Sequence, residues 1–149
     1  MTGRQKNILI EFLTVIIITA IAVIGMVNFK DYVNRSESMQ AMNHLGKIIL
    51  QYRKTEGAVP PESYIEDVKE ELAGLSRLGS LQYRARWITL GAGPDEILAY
   101  AKKNYHSLFF SSGYVVLRLD GRVEWMEPNR FETTLAKQQH SEEMEAIKK

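Results

Sequence analysis

Apolar and polar positions divide the chain into three parts. Residues 8 to 29 are apolar around the whole helical circumference, and residues 30 to 54 repeat apolar side chains at intervals of three, four or seven. From residue 81 onward, apolar and polar side chains alternate over short segments. These patterns are typical of a membrane-spanning helix, an amphipathic helix and β-strands, respectively. The sequence therefore predicts an α+β fold in which one long N-terminal helix packs on a small antiparallel sheet.

The apolar run Ile8–Phe29 carries a single charge, on Glu11. At about 1.5 Å per residue it spans roughly 33 Å, which is enough to cross the hydrocarbon core of a bilayer. A buried core helix would be shorter and would keep a polar stripe. A cleaved secretory signal is the other alternative, because Arg4 and Lys6 precede the run, but the apolar part of a signal is only about 7 to 15 residues long. The pattern favours a retained membrane anchor.

The helical pattern continues beyond the anchor to about Lys54. Its outer half carries an apolar stripe that is expected to pack on the soluble domain; the stripe comprises Tyr32, Met39, Met42, Leu45, Ile49 and Tyr52. His44 lies beside the stripe and is interpreted as a residue of the polar face rather than a ligand. Gly57 is expected to cap the helix, and Pro60-Pro61 prevents its continuation.

A second helix and two strands are predicted after these prolines. Ser63-Tyr64-Ile65-Glu66 has the pattern of a capping box, and the helix is expected to end near Gly74 with one apolar face; that face comprises Ile65, Val68, Leu72 and Leu75. Alternation over Leu81–Thr89 predicts a strand, and a second short strand follows at Ile97–Tyr100. The intervening Gly91–Pro94 segment lacks the Lys-Ser or Lys-Thr of a phosphate loop and is interpreted as a turn.

The strongest local signal is a hairpin. Two apolar segments, Tyr114–Leu119 and Arg122–Met126, flank Asp120-Gly121. This dipeptide favours a two-residue type I′ turn, so Asp120 and Gly121 are predicted to be turn residues. Pro128 suits the first turn of a last helix, with Phe131 and Leu135 facing inward. The charged tail, residues 138–149, is expected to be frayed or disordered.

Composition excludes several classes of function. The 149 residues include 19 basic and 18 acidic side chains, a formal charge of +1, so the broad cationic surface of a nucleic-acid-binding protein is not expected. The chain has no cysteine, which excludes disulfides, thiolate nucleophiles and cysteine metal sites. Its length allows one soluble domain, assigned to residues 30–137.

The sequence predicts neither catalysis nor a cofactor. His106 and Asp120 could form a triad on paper with Ser107 or Ser111, but no nucleophile-elbow motif surrounds either serine. His140 lies in the charged tail. The region between Leu90 and Gly113 has no clear acidic loop suited to calcium, so no metal is predicted.

Glu11 requires an explanation, because an unpaired carboxylate at membrane depth costs up to a few kcal/mol. It lies about one turn inside the N-terminal end of the apolar run. Two explanations remain open from the residues alone. Glu11 could be tolerated near the interface, stabilised by the helix N-terminus, or it could pair with a partner and serve a function.

The anchor resembles the leading helix of type IV pilin-like proteins, which include the pseudopilins of type II secretion. The residues that carry this resemblance are Leu9–Leu13, Val15, Ile16–Ile18, Ala20, Ile21 and Gly25. In that family a Glu is the fifth residue of the mature chain, so the resemblance implies a processing junction between Lys6 and Asn7. It also implies that Glu11 pairs with the N-terminal amine of a neighbouring subunit. The family's Gly-Phe junction is replaced here by Lys6-Asn7.

Two further segments are similar to the same family. Tyr52 and Gly57–Pro60 match the pseudopilin pattern after the long helix. The C-terminal part resembles planctomycete-type pilin-like proteins that end in a His and an Asp-Gly hairpin; the matching residues are Ile97–Tyr100, His106, Gly113, Val115–Leu119, Asp120-Gly121, Val123–Trp125 and Phe131–Leu135. Thirteen residues separate His106 from Asp120, whereas the family spacer has nine.

The resemblance implies a structural component of a bacterial secretion or pilus-like system. Residues 1–7 would form a leader-like cytoplasmic segment, residues 8–29 would cross the inner membrane, and the domain would be periplasmic or extracellular. The expected partners are the lipid bilayer and other pilin-like subunits, in a homo- or hetero-oligomer. The alternative is a single-pass, membrane-tethered envelope domain that binds a ligand or partner without forming a filament, which the Lys6-Asn7 junction favours.

Overall fold

The computed structural model describes residues 2–71, 75–89, 91–105, 107, 109–140 and 143–145. In chain order, its helices and strands are α1 (Gly3–Glu56), α2 (Glu62–Glu71), β1 (Leu81–Tyr83), β2 (Ile97–Lys103), β3 (Gly113–Arg118), β4 (Val123–Met126) and α3 (Pro128–Gln138). Short 3-10 turns at Leu75–Leu78 and Ala85–Trp87 flank β1. The four strands form an antiparallel sheet in the order β1-β2-β3-β4. The predicted α+β class is confirmed.

Helix α1 is a single helix of 54 residues, or roughly 80 Å at about 1.5 Å per residue. It begins five residues before the predicted start at Ile8. It ends at Glu56, and Gly57 is its cap. Gly57 has a φ of 73°, the left-handed conformation that glycine adopts at low cost, and its N–H donates to the Arg53 carbonyl at 3.0 Å. The predicted cap is confirmed.

The outer half of α1 packs on one face of the sheet. Met42, Leu45 and Ile49 are fully buried there, in a cluster with Val115 and Leu117 of β3. This confirms the amphipathic stripe over most of its length. The prediction was wrong at Tyr32, which is 58% exposed. The ring of Tyr32 lies beside the Phe110 ring, at a centroid distance of 6.1 Å, and this contact leaves it mostly exposed.

Helix α3 covers the other face of the sheet. Phe131 and Leu135 are buried against Val116 and Met126, as the inward-facing prediction for α3 requires. The Phe131 ring also stacks on Tyr114 at 3.8 Å between centroids. The sheet is therefore the middle of three layers, and both faces of β3 are buried.

Helix α2 differs from its prediction in its start. It begins at Glu62, so Ser63 lies inside the helix rather than at its cap. The inward face is confirmed at Ile65, which is buried, and Val68, which packs on the same cluster. Leu72 and Gly74 lie outside the described residues, as does the side chain of Leu75.

The strand predicted over Leu81–Thr89 is shorter than expected. Only Leu81–Tyr83 pairs with β2, and a 3-10 turn follows at Ala85–Trp87. The chain leaves the sheet at Arg84, which has a φ of −105° and a ψ of 11°. The alternation of Arg84 with Tyr83 predicts that Arg84 lies on the outer, polar face of this strand. Its side chain is only 3% exposed, so this prediction was wrong.

The Asp-Gly hairpin is confirmed, but its turn is not type I′. Only Gly121 has a positive φ, of 89°, whereas type I′ requires positive φ at both central residues. Gly121 N–H donates to the Arg118 carbonyl at 2.9 Å, and Arg118 N–H donates to the Arg122 carbonyl at 2.8 Å. This is the three-residue loop in which a turn over Leu119-Asp120 is followed by a left-handed glycine bulge. Asp120 avoids a positive φ in this arrangement.

Candidate functional site

No residue in the N-terminal half of α1 is buried, although Asn28, near the end of this half, accepts a hydrogen bond from the Phe109 N–H. Every side chain from Thr2 to Met26 is exposed, and the most apolar 18-residue window has a mean hydropathy of 2.7 and no buried residue. The helix is long and apolar enough to cross a membrane. A soluble protein would bury such a surface, so this half of α1 requires a partner that the chain itself does not supply.

Glu11 projects from this exposed helix. Among the described residues, no cation and no hydrogen-bond donor pairs with its carboxylate. The neighbouring Thr14 hydroxyl, by contrast, donates to the Ile10 carbonyl at 2.8 Å and needs no outside partner. Glu11 is thus an exposed carboxylate on an otherwise apolar stretch of α1, with no partner among the described residues.

The Lys6-Asn7 junction lies within α1. The helix begins at Gly3, after Thr2, whose N–H donates to the Gln5 side-chain oxygen at 3.0 Å. Both junction residues are exposed. The structure therefore places the implied processing junction in exposed helical backbone.

Polar contacts hold the loop between β2 and β3 against α1 at the end of the apolar run. Ser107 N–H donates to Asp31 Oδ2 at 3.0 Å, and Phe109 N–H donates to Asn28 Oδ1 at 3.3 Å. Asp31 is 8% exposed. The soluble domain is therefore attached to α1 immediately after the segment that could cross a membrane.

Of the residues that could form a triad, Ser107 and Asp120 lie far apart in the described structure. His106 lies outside the described residues. Asp120 is on the hairpin, where Gly121 contacts Leu50, whereas Ser107 contacts Asp31. Those two contact points on α1 are roughly 28 Å apart at about 1.5 Å per residue. No nucleophile–base pair can form between Ser107 and Asp120.

Asp120 has a structural role instead. Its carboxylate accepts the Arg122 backbone N–H at 3.0 Å and pairs with the Arg122 guanidinium. Partial burial raises the pKa of Asp120, but these hydrogen bonds and the Arg122 charge outweigh it and hold the pKa below its usual value. The carboxylate fixes the turn, as predicted for a turn residue.

The sequence did not predict a buried ion pair behind β2. Arg84 donates from Nε and Nη2 to the two Glu143 carboxylate oxygens, at 2.7 and 2.9 Å. Its guanidinium also donates to the carbonyls of Ile97, at 2.6 Å, and Gln138, at 3.3 Å. Arg84 is 3% and Glu143 1% exposed. The carboxylate of Glu96 lies 3.6 Å from Arg84 Nη1.

This pair corrects the prediction for the C-terminal tail at Glu143, whereas residues 141, 142 and 146–149 lie outside the described residues. The tail was expected to be frayed, but Glu143 lies in the interior, and Gln138 binds β2 through its side chain. The Gln138 amide accepts the Ile97 N–H at 2.9 Å and donates to the Asp95 carbonyl at 3.1 Å. The charge-rich sequence of the tail does not indicate burial, because Arg84, the partner of Glu143, is 59 positions away in the chain. His140 is exposed in this segment.

A second polar group connects α1 with the sheet. The Arg77 carbonyl accepts hydrogen bonds from Lys103 Nζ and from the Ser38 hydroxyl of α1, the latter at 3.2 Å. Burial, followed by repulsion from the Arg77 charge, lowers the pKa of Lys103. Ser38 is fully buried. These bonds satisfy polar groups in the interior and show no arrangement suited to catalysis.

The described residues contain no group of three or more acidic or histidine side chains that could hold a metal ion. His44 lies on an exposed polar face of α1, in an open hollow with Gln40, Asn43 and Lys47. This position agrees with its interpretation as a polar-face residue. No cofactor-binding arrangement is evident among the described residues.

Comparison of the chain with protein-family models, with curated proteins and with solved structures finds no match.

Proposed function

We propose that the protein is a membrane-anchored, pilin-like structural subunit whose α1 both crosses the bilayer and binds other subunits. The observation that carries the proposal is Glu11, a lone carboxylate on an apolar helix that is exposed on all sides. A simple anchor needs no such residue. A helix that pairs laterally gives the carboxylate a partner and removes its cost.

The shape of the molecule supports this proposal. The outer half of α1 packs on the sheet, and the inner half is a continuation of the same helix. Copies that lie side by side in a bilayer can therefore pack their anchors while their domains stay in one layer. The resemblance of residues 9–25 to pilin-like leading helices is the second support.

Replacing Glu11 by Leu is expected to reduce cross-linked oligomers in membranes severalfold without releasing the protein from the membrane. The replacement removes the only charge between Asn7 and Asn28 and leaves this segment uncharged. Insertion should be unchanged or improved, since a charge in the hydrocarbon region costs up to a few kcal/mol. Amine-reactive cross-linking of isolated membranes, with alkaline extraction of the same sample, measures both properties.

Thr14→Leu is the matched control. It removes a polar side chain three positions from Glu11 whose hydroxyl is already bonded within the helix. It should leave both oligomers and insertion unchanged. Equal oligomer yields from the wild-type chain and Glu11→Leu would contradict a role for Glu11 in assembly.

A second candidate function is a single-pass tether whose domain binds a ligand or partner at the envelope. The observation that favours it is the Lys6-Asn7 junction, which lacks the family's Gly-Phe and lies in helical backbone. N-terminal sequencing of the membrane-extracted protein separates the two functions. A mature chain that starts at Asn7 supports a processed subunit, whereas an intact start at Met1 or Thr2 supports the tether.

A further inference from the structure

We propose that the loop before β3 is a second membrane contact, in which Phe109 enters the lipid interface beside the end of the anchor. The proposal rests on the membrane anchoring proposed for α1. It adds that the soluble domain touches the same bilayer and is held in a fixed orientation by it. The partner is therefore the lipid surface.

The position of Asn28 places this loop at the membrane boundary. Asn28 lies 20 residues after Ile8, or about 30 Å along the helix, which matches the thickness of the hydrocarbon core. Its side-chain amide donates to the Ile24 carbonyl at 2.7 Å, and its oxygen accepts the Phe109 N–H at 3.3 Å. Asn28, one residue before the end of the apolar run, therefore also binds the loop.

Further contacts hold the loop at this level. The nearly buried Asp31 accepts the Ser107 N–H at 3.0 Å. Phe110 packs against Tyr32, and its N–H donates to the Ser107 hydroxyl at 3.3 Å. The loop is thus attached to α1 at Asn28 and Asp31, on either side of the end of the anchor. Phe109 projects from this attached segment.

The exposed aromatic side chains at this level indicate a lipid surface. Phe109 is 77% exposed, Phe29 68% and Tyr32 58%. Aromatic side chains are enriched at the membrane–water interface, where their apolar rings leave water. Lys30 is also exposed, and its ammonium can reach lipid phosphates while its stem lies along apolar surface. Continuity with the anchor favours lipid over a protein partner.

The test measures the depth of residue 109 in a bilayer. The chain has no cysteine, so Phe109→Cys can be labelled at one position with an environment-sensitive, apolar fluorophore. The full chain is reconstituted in phosphatidylcholine vesicles that carry a spin-label quencher at the headgroup or along the acyl chain. Met26→Cys, within the anchor, reports insertion, and Glu56→Cys, roughly 40 Å further along α1 at about 1.5 Å per residue, reports the aqueous phase.

We expect the label at position 109 to be quenched severalfold more than the label at position 56, and most strongly by the headgroup quencher. Equal quenching at positions 109 and 56, with strong quenching at position 26, would overturn the loop contact and leave the anchor intact. Absence of quenching at position 26 would overturn the anchor itself, and the loop contact with it. Protection of position 109 without lipid quenching would show a protein partner and overturn the lipid assignment.

A second set of variants tests the Phe109 side chain itself, with the fluorophore at another position. The fluorophore is placed at the exposed Ser111, with Phe109 either retained or replaced by Ser. Phe109→Ser should lower the quenching of the label by lipid to near the level at position 56. Glu132→Ser, an exposed replacement on α3 away from the loop, should leave the quenching unchanged. Unchanged quenching in Phe109→Ser would overturn the role of Phe109.

Discussion

Replacing Arg84 by Met is expected to lower the free energy of unfolding by about 3–5 kcal/mol, because it leaves Glu143 as a buried carboxylate without its cation. The guanidinium also satisfies the Ile97 and Gln138 carbonyls, which would lose a donor. Urea unfolding in detergent micelles, followed by the fluorescence of Trp125 in a Trp87→Phe background, measures the change. Trp125 lies under the Arg35 guanidinium of α1, at 4.4 Å, and reports contact between helix and sheet.

The matched control for Arg84→Met is the double variant Arg84→Met/Glu143→Leu. An apolar pair of similar volume often replaces a buried ion pair at little cost, so the double variant should lose less than the sum of the two single variants. Losses that simply add would show that the two side chains do not stabilise one another. In that case Glu143 would not hold the C-terminal segment.

Replacing Leu45 by Ala is expected to cost about 2–5 kcal/mol, as is typical for truncation of a fully buried leucine. Leu45 is 0% exposed and belongs to the cluster that joins α1 to β3. The deletion leaves a cavity between helix and sheet, because Gly46 already brings α1 close to Leu117 and little relaxation is available. The same unfolding measurement applies.

Ile48→Ala is the control for this prediction. Ile48 lies three positions away on α1 but is partly exposed beside the open hollow around His44. Its truncation removes a similar number of carbon atoms from a surface that water already reaches, so the cost should be clearly smaller. Equal losses in the two variants would contradict the packing of α1 on the sheet through Leu45.

The features that the sequence predicted are those set by nearby residues. The extent of the apolar run, the cap at Gly57 and the position of the Asp-Gly hairpin each depend on a few adjacent side chains. The inward stripe of α1 was predicted from its period, and it was wrong only at Tyr32, which is mostly exposed.

The features that the sequence did not predict depend on distant partners. Arg84 was placed outward by its alternation with Tyr83, but the carboxylate of Glu143 and two carbonyls draw it into the interior. The loop at Asn28 and Asp31 joins positions roughly 80 apart in the chain, which no local pattern could indicate.

The central claim is that the anchor half of α1 is an assembly surface as well as a membrane segment. Because the chain has no cysteine, single cysteines from Ile8 to Ile24 can form disulfides only between copies or with a cysteine of a partner subunit. We expect oxidation in native membranes to give cross-linked dimers at positions that repeat every three or four residues, and to give few in the Glu11→Leu background. Absence of cross-links along the whole segment, with the chain still in the membrane fraction, would contradict the claim.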